Sequence, residues 1–177
     1  IFRCFNSLIK IQKFIIFLSF ILFMKRGSHV LFLSNKIFKQ LKPFCKKIEI
    51  AGSIRRHKPN PRDIDIVLIP KNKNKVEEEM KKLGKFIQGG EKISRWKIHG
   101  IQTELYYTTD EEWGATLLAY SSKKGSEIGL RIIARTKGFK LNSHGLFNRR
   151  TGKRIAGKTE KEIYSALGRQ YKKPENR

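Results

Sequence analysis

Cysteine and aspartate are both scarce in this sequence. Cys4 and Cys45 are the only cysteines among 177 residues, and neither stands in a metal-ligand spacing. We therefore expect no disulfide framework and a reducing compartment. The only aspartates are Asp63, Asp65 and Asp110. Because two of these three stand two residues apart, the scarcity directs attention to that pair.

Acidic residues are few relative to basic ones. The chain has 15 Asp plus Glu against 39 Lys plus Arg, which gives a formal net charge of +24. Such a charge favours a polyanionic partner, with nucleic acid as the first interpretation and an anionic membrane as the second. The hydrophobic fraction of 39% is sufficient for the core of one compact unit or of two small lobes.

Long apolar runs are also missing, apart from one near the start. Residues 14–23 are uncharged and almost wholly apolar, but a spanning helix needs about 20 such residues. The basic residues before this run are typical of a signal peptide, yet no small-residue cleavage site follows. Because Met24 resembles an ordinary start, we interpret residues 1–23 as upstream translation, with a membrane-proximal helix as the alternative.

A glycine turn opens the main motif of the chain. Gly52 and Ser53 follow a strand-like apolar run and precede Arg55 and Arg56. A glycine at a strand end lets successive backbone amides converge on an anion such as a phosphate. We expect both arginines to add positive charge beside that anion.

Two carboxylates complete the motif. Asp63 and Asp65 stand two residues apart on an apolar run, and side chains at i and i+2 leave a strand on the same face. Two close carboxylates resist ionising together unless a cation lies between them, which favours a divalent metal. The order of strand, Gly-Ser, two arginines, linker and Asp-x-Asp resembles the core signature of the nucleotidyltransferase superfamily.

The periodicity of apolar residues predicts the elements around this motif. We expect a helix that begins at Ser34 or Asn35 and is bent or ended by Pro43. A short charged helix is expected over 76–83, ended by Gly84. Strands are expected over 85–87, 93–98 and 101–107.

Glu104 is the only acid after Asp65 that is embedded in a good strand pattern. Its strand should lie beside the aspartate strand. Phosphoryl transfer by two metals needs carboxylates for both ions and one near the attacking hydroxyl. We therefore include Glu104 as a third carboxylate of the candidate site, the alternative being a solvated acid on an edge strand.

From about residue 33 to residue 177 these features, with the helix expected from Trp113, resemble a family X DNA polymerase. The likeness is to the small form, with palm and thumb lobes and no amino-terminal lyase domain. It implies an α+β fold: a nucleotidyltransferase palm over 24–110, with a mixed or antiparallel sheet and flanking helices. A small α/β thumb would follow over 111–177.

The resemblance also implies roles for the motif residues. In the family the Gly-Ser turn and second arginine hold the triphosphate, the strand aspartates bind both metals, and a third carboxylate helps to deprotonate the primer hydroxyl. These positions are Gly52, Ser53, Arg56, Asp63, Asp65 and Glu104. The implied cofactors are two Mg²⁺ ions, with Mn²⁺ as a substitute. The implied partners of a monomer are dNTP and gapped or primer-template DNA.

Three positions depart from the family pattern. The third carboxylate is usually Asp, whereas Glu104 is longer by about a methylene. The usual Thr-Gly-Ser hinge is replaced by Tyr-Ser-Ser-Lys at 120–123, which leaves Tyr120 as the expected sugar neighbour in the nucleotide site. Glu127 stands where relatives often carry an amide that touches the base.

Four basic residues are candidate DNA contacts. Arg131 matches a family position that contacts the template strand, although it also shares a helix face with Glu127, which favours a salt bridge as the alternative. Arg149, Arg150 and Lys153 cluster around a turn after a hairpin-like segment. On so basic a chain, contact with the phosphate backbone is the preferred interpretation.

The remaining thumb residues predict structural features. Ile128 and Ile132 are expected to face into the thumb, away from the charged face of their helix. Thr159 and Glu162 have the spacing of a capping box, which would open a helix that ends near Gly168.

Three functions remain open from the sequence. The first is a DNA-directed DNA polymerase that fills gaps in DNA repair by two-metal catalysis. The second is a template-independent or RNA-directed nucleotidyltransferase, which the altered hinge favours. The third is a nucleic-acid-binding protein whose site has decayed. We expect a cytoplasmic protein, of a cell or of a virus-infected host, with membrane contact only if residues 1–23 belong to it.

Overall fold

The computed structural model describes residues 27–177, so the interpretation of residues 1–23 lies outside the described residues. Within 27–177, none of the helices combines the length and the apolar character needed to cross a membrane.

The first half of the described chain is built on a five-stranded sheet with the order β1-β2-β5-β4-β3. β2 pairs antiparallel with β1 and parallel with β5, whereas β5 with β4 and β4 with β3 are antiparallel. The sheet is therefore mixed, which confirms the expected fold class. The strands are β1 (Cys45–Ile50), β2 (Ile64–Pro70), β3 (Lys85–Gly89), β4 (Ile93–Ile98) and β5 (Ile101–Tyr107).

One face of this sheet is covered by two helices, α1 (27–41) and α3 (Lys73–Leu83). Alternate residues of β2 point to these helices, and each is fully buried: Ile64, Ile66 and Leu68. Burial of each such side chain stabilises the folded state by on the order of 2 kcal/mol. The core therefore fixes the register of the strand that carries Asp65.

The expected start of α1 at Ser34 or Asn35 is wrong. The helix is already formed at residue 27, and Val30 and Leu33 extend its buried stripe one turn earlier. Ser34 lies inside the helix and its hydroxyl donates to the carbonyl of Leu31 at 2.8 Å, a bond that serine can form within a helix. The helix ends before Pro43, as expected.

α3 begins earlier than expected because Asn72 caps it. The Asn72 side chain accepts a hydrogen bond from the backbone amide of Lys75, and Gly84 follows the last helical residue. The strands expected over 93–98 and 101–107 have those bounds, and the strand expected over 85–87 continues to Gly89.

The second half contains α4 (Trp113–Ser121), α5 (Lys124–Thr136), a three-stranded antiparallel sheet and α6 (Glu160–Ala166). Its core includes Leu118, Ala134, Leu146 and Ile163. The sheet consists of β6 (Phe139–Asn142), β7 (Gly145–Asn148) and β8 (Arg154–Ala156).

Two features of this half were expected, and one of them is wrong. The capping box of Thr159 and Glu162 is present in both directions. In contrast, Ile128 and Ile132 do not face the core, since their residues are 48% and 58% exposed. α5 instead buries Leu130 and Ala134, which lie on a different face of the helix.

A small apolar cluster joins the two halves. Ala51, Val67, Tyr106 and Leu117 are buried together, so β2 and β5 contact α4 directly. The boundary expected between 110 and 111 stays a prediction.

Candidate active site

Gly52 lets a one-turn helix approach the aspartate strand. α2 (Gly52–Arg55) follows β1, and Gly52 has φ +60, which favours glycine. A Cβ at this position would lie 1.9 Å from Oδ2 of Asp65, so any other side chain would collide with the carboxylate. The backbone amide of Ala51 donates to the carbonyl of Asp65 at 2.8 Å. The expected glycine turn is therefore a short helix held against β2.

Asp63 and Asp65 share the wall of one open cavity of about 680 Å³. Asp65 is the second residue of β2, whereas Asp63 precedes the strand and is exposed. The remaining lining residues are Gly52, Ser53, Arg56, Lys58, Pro59, Asn60, Pro61, Arg62 and Tyr120. The structure therefore brings the predicted triphosphate residues and both aspartates to the same space.

The carboxylate of Asp65 is electrostatically unfavourable in its place. Burial, followed by the negative charges of Asp63 and Glu104, raises its pKa to about 6, although a hydrogen bond from Tyr106 and the charge of Arg56 oppose the rise. The negative charge around Asp65 therefore exceeds what the positive charge of Arg56 balances. A bound cation would relieve it.

Glu104 lies directly beside Asp65, because the two residues are register partners on the parallel strands β5 and β2. Its Oε1 accepts from Arg95 Nε at 2.8 Å and from Gln102 Nε2 at 2.9 Å, and its Oε2 accepts from the hydroxyl of Tyr106. Both oxygens are therefore engaged by donors of the sheet.

The donor set fits a divalent cation at the two aspartates. Carboxylate oxygens are the ligands that Mg²⁺ prefers, and Asp63 and Asp65 present theirs to the same cavity. Over residues 27–177, however, no three His, Cys, Asp or Glu side chains are grouped closely enough to hold a metal. In this arrangement Glu104 is paired with Arg95 at 2.8 Å. Its role as a metal ligand stays a prediction.

Two donors of the predicted triphosphate site are buried without a partner among the described residues. These are the Ser53 hydroxyl and the Nε of Arg56. Nη1 of Arg56 donates to the carbonyls of Ser121 at 3.0 Å and Ser122 at 3.4 Å. An unsatisfied buried donor costs about 1–3 kcal/mol, so an anion at this wall would be favoured.

Arg55 does not lie beside this anion position, and the expectation that it does is wrong. Its guanidinium forms a bidentate pair with Glu160 of α6, with both N–O distances at 2.9 Å. Consecutive residues of a helix point about 100° apart, so Arg55 and Arg56 cannot share one direction. Because the two arginines are adjacent in the sequence, their different directions could have been predicted.

The sequence reasoning also missed Tyr106. Its hydroxyl lies within hydrogen-bonding distance of Oδ1 of Asp65, at 3.1 Å, and of Oε2 of Glu104, and its one proton is shared between them. Its ring stacks on the ring of Tyr120, with centroids 3.5 Å apart and planes at 19°. The position of Tyr106 two residues after Glu104 on the same strand face was the available signal.

The predicted DNA contacts lie in the second half of the molecule. Arg131 is paired with Glu127 at 2.6 Å, which is the expected helical salt bridge. Arg149, Arg150 and Lys153 are exposed around the turn between β7 and β8. Contact of these four residues with DNA stays a prediction.

A mixed sheet with a Gly-Ser helix against Asp65, and with Asp63 just before the same strand, is the arrangement that the resemblance to nucleotidyltransferases implies. Comparison with known proteins narrows this class. Residues 116–177 match the DNA polymerase beta thumb family. The chain is 26% identical over 147 residues to "Repair DNA polymerase X" of African swine fever virus, a match that covers 77% of this chain and 84% of that protein.

Two cellular proteins are similar over smaller shares of their length. "DNA polymerase/3'-5' exonuclease PolX" of Bacillus subtilis is 25% identical over 149 residues, which are 80% of this chain and 26% of that protein. "DNA polymerase IV" of Saccharomyces cerevisiae is 37% identical over 67 residues, which are 38% of this chain and 11% of that protein. The resemblance to small family X DNA polymerases is thereby confirmed.

Proposed function

We propose that this protein is a DNA-directed DNA polymerase that transfers a nucleoside monophosphate from dNTP to a primer 3′-hydroxyl, filling gaps in DNA repair as a monomer. The viral relative is named a repair DNA polymerase and the bacterial relative a DNA polymerase, which supports a nucleotidyltransferase of this kind. The observation that carries the proposal is the approach of Gly52 to Asp65, which sets the Gly-Ser helix and the two aspartates around one cavity.

In this proposal the cavity wall binds the nucleotide. Ser53, Arg56 and the first amides of α2, which have no partner within the helix, receive the triphosphate. Tyr120 borders the same cavity and is the proposed neighbour of the sugar. Asp63 and Asp65 would hold two Mg²⁺ ions, or Mn²⁺ in their place, which supply charge neutralisation and activation of the attacking hydroxyl when bound.

The acceptor strand is proposed to lie on the other side of Asp63. This carboxylate also borders a second cavity, of about 510 Å³, whose lining includes Arg62, Arg95 and Lys97. Cations in such a cavity suit a phosphate backbone. Asp63 would therefore stand between the nucleotide and the primer end, and Glu104 would accept the hydroxyl proton after release from Arg95.

Extension of a labelled primer at a one-nucleotide gap tests this function, in Mg²⁺ and in Mn²⁺, with and without template. We expect addition of the nucleotide that matches the template. Equal extension without template would favour the template-independent alternative. DNA binding without incorporation in either metal would contradict the polymerase and favour a nucleic-acid-binding protein.

The proton-accepting role of Glu104 has its own test. Glu104→Gln should lower the single-turnover rate by on the order of 10²–10⁴, as expected for removal of a positioned base. Glu104→Asp should retain activity, because it restores the usual carboxylate of the family. Glu78→Gln, on the exposed face of α3, is the matched control. An unchanged rate in Glu104→Gln would remove this residue from the reaction.

A further inference from the structure

One hydroxyl group joins two acids that would otherwise only repel each other. The Tyr106 hydroxyl lies within hydrogen-bonding distance of Asp65 Oδ1, at 3.1 Å, and of Glu104 Oε2, so the two acids share its one proton. These acids belong to neighbouring strands and are register partners. The tyrosine therefore connects β5 to β2 at the level of the candidate metal site.

The ring of Tyr106 is held in place independently of its hydroxyl. The residue is 6% exposed and packs with Ala51, Val67 and Leu117. The stacked ring of Tyr120 covers one of its faces. Because packing and stacking fix the ring, the hydroxyl is a preset donor whose position does not depend on either acid.

This donor divides the two oxygens of Asp65 between different surroundings. Oδ1 faces the tyrosine, whereas Oδ2 lies where Gly52 leaves room beside α2 and the cavity. A hydrogen bond to one oxygen of a metal-binding carboxylate fixes the direction of the other. Glu104 is drawn to the same hydroxyl and so stays next to Asp65, although Arg95 and Gln102 hold its other oxygen.

We propose that Tyr106 is a positioning residue, whose hydroxyl orients Asp65 for divalent-cation binding and keeps Glu104 beside it. The inference rests on the proposed function, because it takes Asp65 as a metal ligand. It adds a residue whose contribution is not catalysis itself but the geometry of two carboxylates. It also distinguishes the hydroxyl of Tyr106 from the ring, which serves the stack on Tyr120.

The test measures Mn²⁺ affinity by electron paramagnetic resonance in the absence of DNA and nucleotide. Tyr106→Phe removes the hydroxyl and retains the stacked ring. We expect Mn²⁺ binding about 10- to 100-fold weaker, the usual effect of losing a group that orients a metal ligand. Asp65→Asn, measured in parallel, should lose the site itself.

Tyr107→Phe is the matched control. Tyr107 is the next residue of β5 and equally buried, but its hydroxyl contacts Ser94 at 2.8 Å and Glu77 at 3.2 Å instead of the site. We expect Tyr107→Phe to keep the Mn²⁺ affinity of the unaltered protein. Thermal unfolding of both variants shows whether either substitution acts only through stability.

The outcomes separate this inference from the proposed function. If Asp65→Asn loses Mn²⁺ and Tyr106→Phe binds it as tightly as the unaltered protein, the positioning role is wrong and the metal site stands. If the unaltered protein binds no Mn²⁺, the positioning role and the metal site are both wrong. Mg²⁺ titration of the unaltered protein by NMR gives a second measurement, in which the ring signals of Tyr106 should shift and those of Tyr107 should not.

Discussion

Two carboxyl groups of this molecule, those of Asp65 and Glu160, have pKa values shifted in opposite directions. Asp65, in the candidate site, has a pKa raised to about 6 by burial and by Asp63. Glu160, in α6, is more deeply buried at 7% exposure, yet its pKa is lowered. Burial opposes ionisation in both cases, and hydrogen bonds from Arg55 and Arg177 reverse the result for Glu160.

The difference lies in the charges that surround each group. Glu160 accepts from Arg55, from Arg177 at 2.7 Å and from Tyr171 at 3.1 Å, so its charge is fully paired. Asp65 lies near two further carboxyl groups, those of Asp63 and Glu104, and the positive charge of Arg56 offsets only part of their effect on its pKa. A buried charge that is fully paired, like that of Glu160, indicates a structural link between α2 and α6. The imbalance at Asp65 indicates a site that a cation completes.

The largest effect is expected from neutralising Asp65, whose charge is only partly balanced by its neighbours. Asp65→Asn should reduce nucleotide transfer by on the order of 10³ or more, because a catalytic metal contributes several kcal/mol and each 1.36 kcal/mol is a factor of ten. DNA affinity should remain close to that of the unaltered protein, because the basic surface is unchanged. Single-turnover incorporation and a DNA-binding titration measure the two properties. Full turnover in this variant would contradict the metal assignment.

The same change from a carboxylate to an amide at Glu160, whose charge is paired, should lower the stability of the fold instead of the rate of nucleotide transfer. Glu160→Gln leaves the buried Arg177 without its anion and Arg55 with only Glu49, at 3.5 Å. Loss of one partner of a buried pair costs about 3–5 kcal/mol. Urea unfolding measures this change. Glu175→Gln, on the exposed surface, is the control and should stay within about 0.5 kcal/mol. A loss below about 1 kcal/mol for Glu160→Gln would show that the pair is not needed for the fold.

The pH dependence of stability should distinguish the two acids further. The pKa of Asp65 is about 6 in the folded chain, against the ordinary 3.8 when unfolded. Between those values the folded state retains a proton that the unfolded state has lost, so this group makes stability fall as the pH rises. The full loss, roughly 3 kcal/mol, is present above pH 6.

Comparison with Asp65→Asn isolates the contribution of the Asp65 carboxylate together with its interactions with Asp63 and Glu104. In chelator, the stability of the variant relative to the unaltered protein should rise from pH 4 to pH 6 and then stay constant. Glu160, whose pKa is lowered, should contribute in the opposite sense: its stabilisation is lost as the pH falls. A flat difference between pH 4 and pH 6 would contradict the crowding of charge at Asp65.

The smallest effect is expected from exposed cations far from either acid. Replacement of Arg149, Arg150 and Lys153 by Ala should weaken DNA binding and reduce the slope of log affinity against log salt by about 0.9 for each phosphate that is no longer neutralised. The triple variant Lys75→Ala, Lys81→Ala and Lys82→Ala removes the same charge from the exposed face of α3. Equal slopes for the two variants would show that only net charge matters.

Local patterns were sufficient for much of the fold. Short strand-like runs separated by turns at 89–90 and 99–100 indicated the bounds of β4 and β5, and the capping box of Thr159 and Glu162 indicated the start of α6. These features depend on neighbours within a few residues. The start of α1 failed because Ser34 can satisfy its hydroxyl inside a helix, and only the packed sheet shows that Val30 extends the buried stripe.

The sequence by itself determined the chemistry available: a chain of +24 charge with a Gly-Ser turn and two aspartates at strand spacing. Those properties are local or additive, so no three-dimensional information was required. The tertiary structure decided how charges are paired, because pairing depends on residues far apart in the chain. It directed Arg55 to Glu160, 105 positions away, and set the Tyr106 hydroxyl against Asp65, 41 positions away.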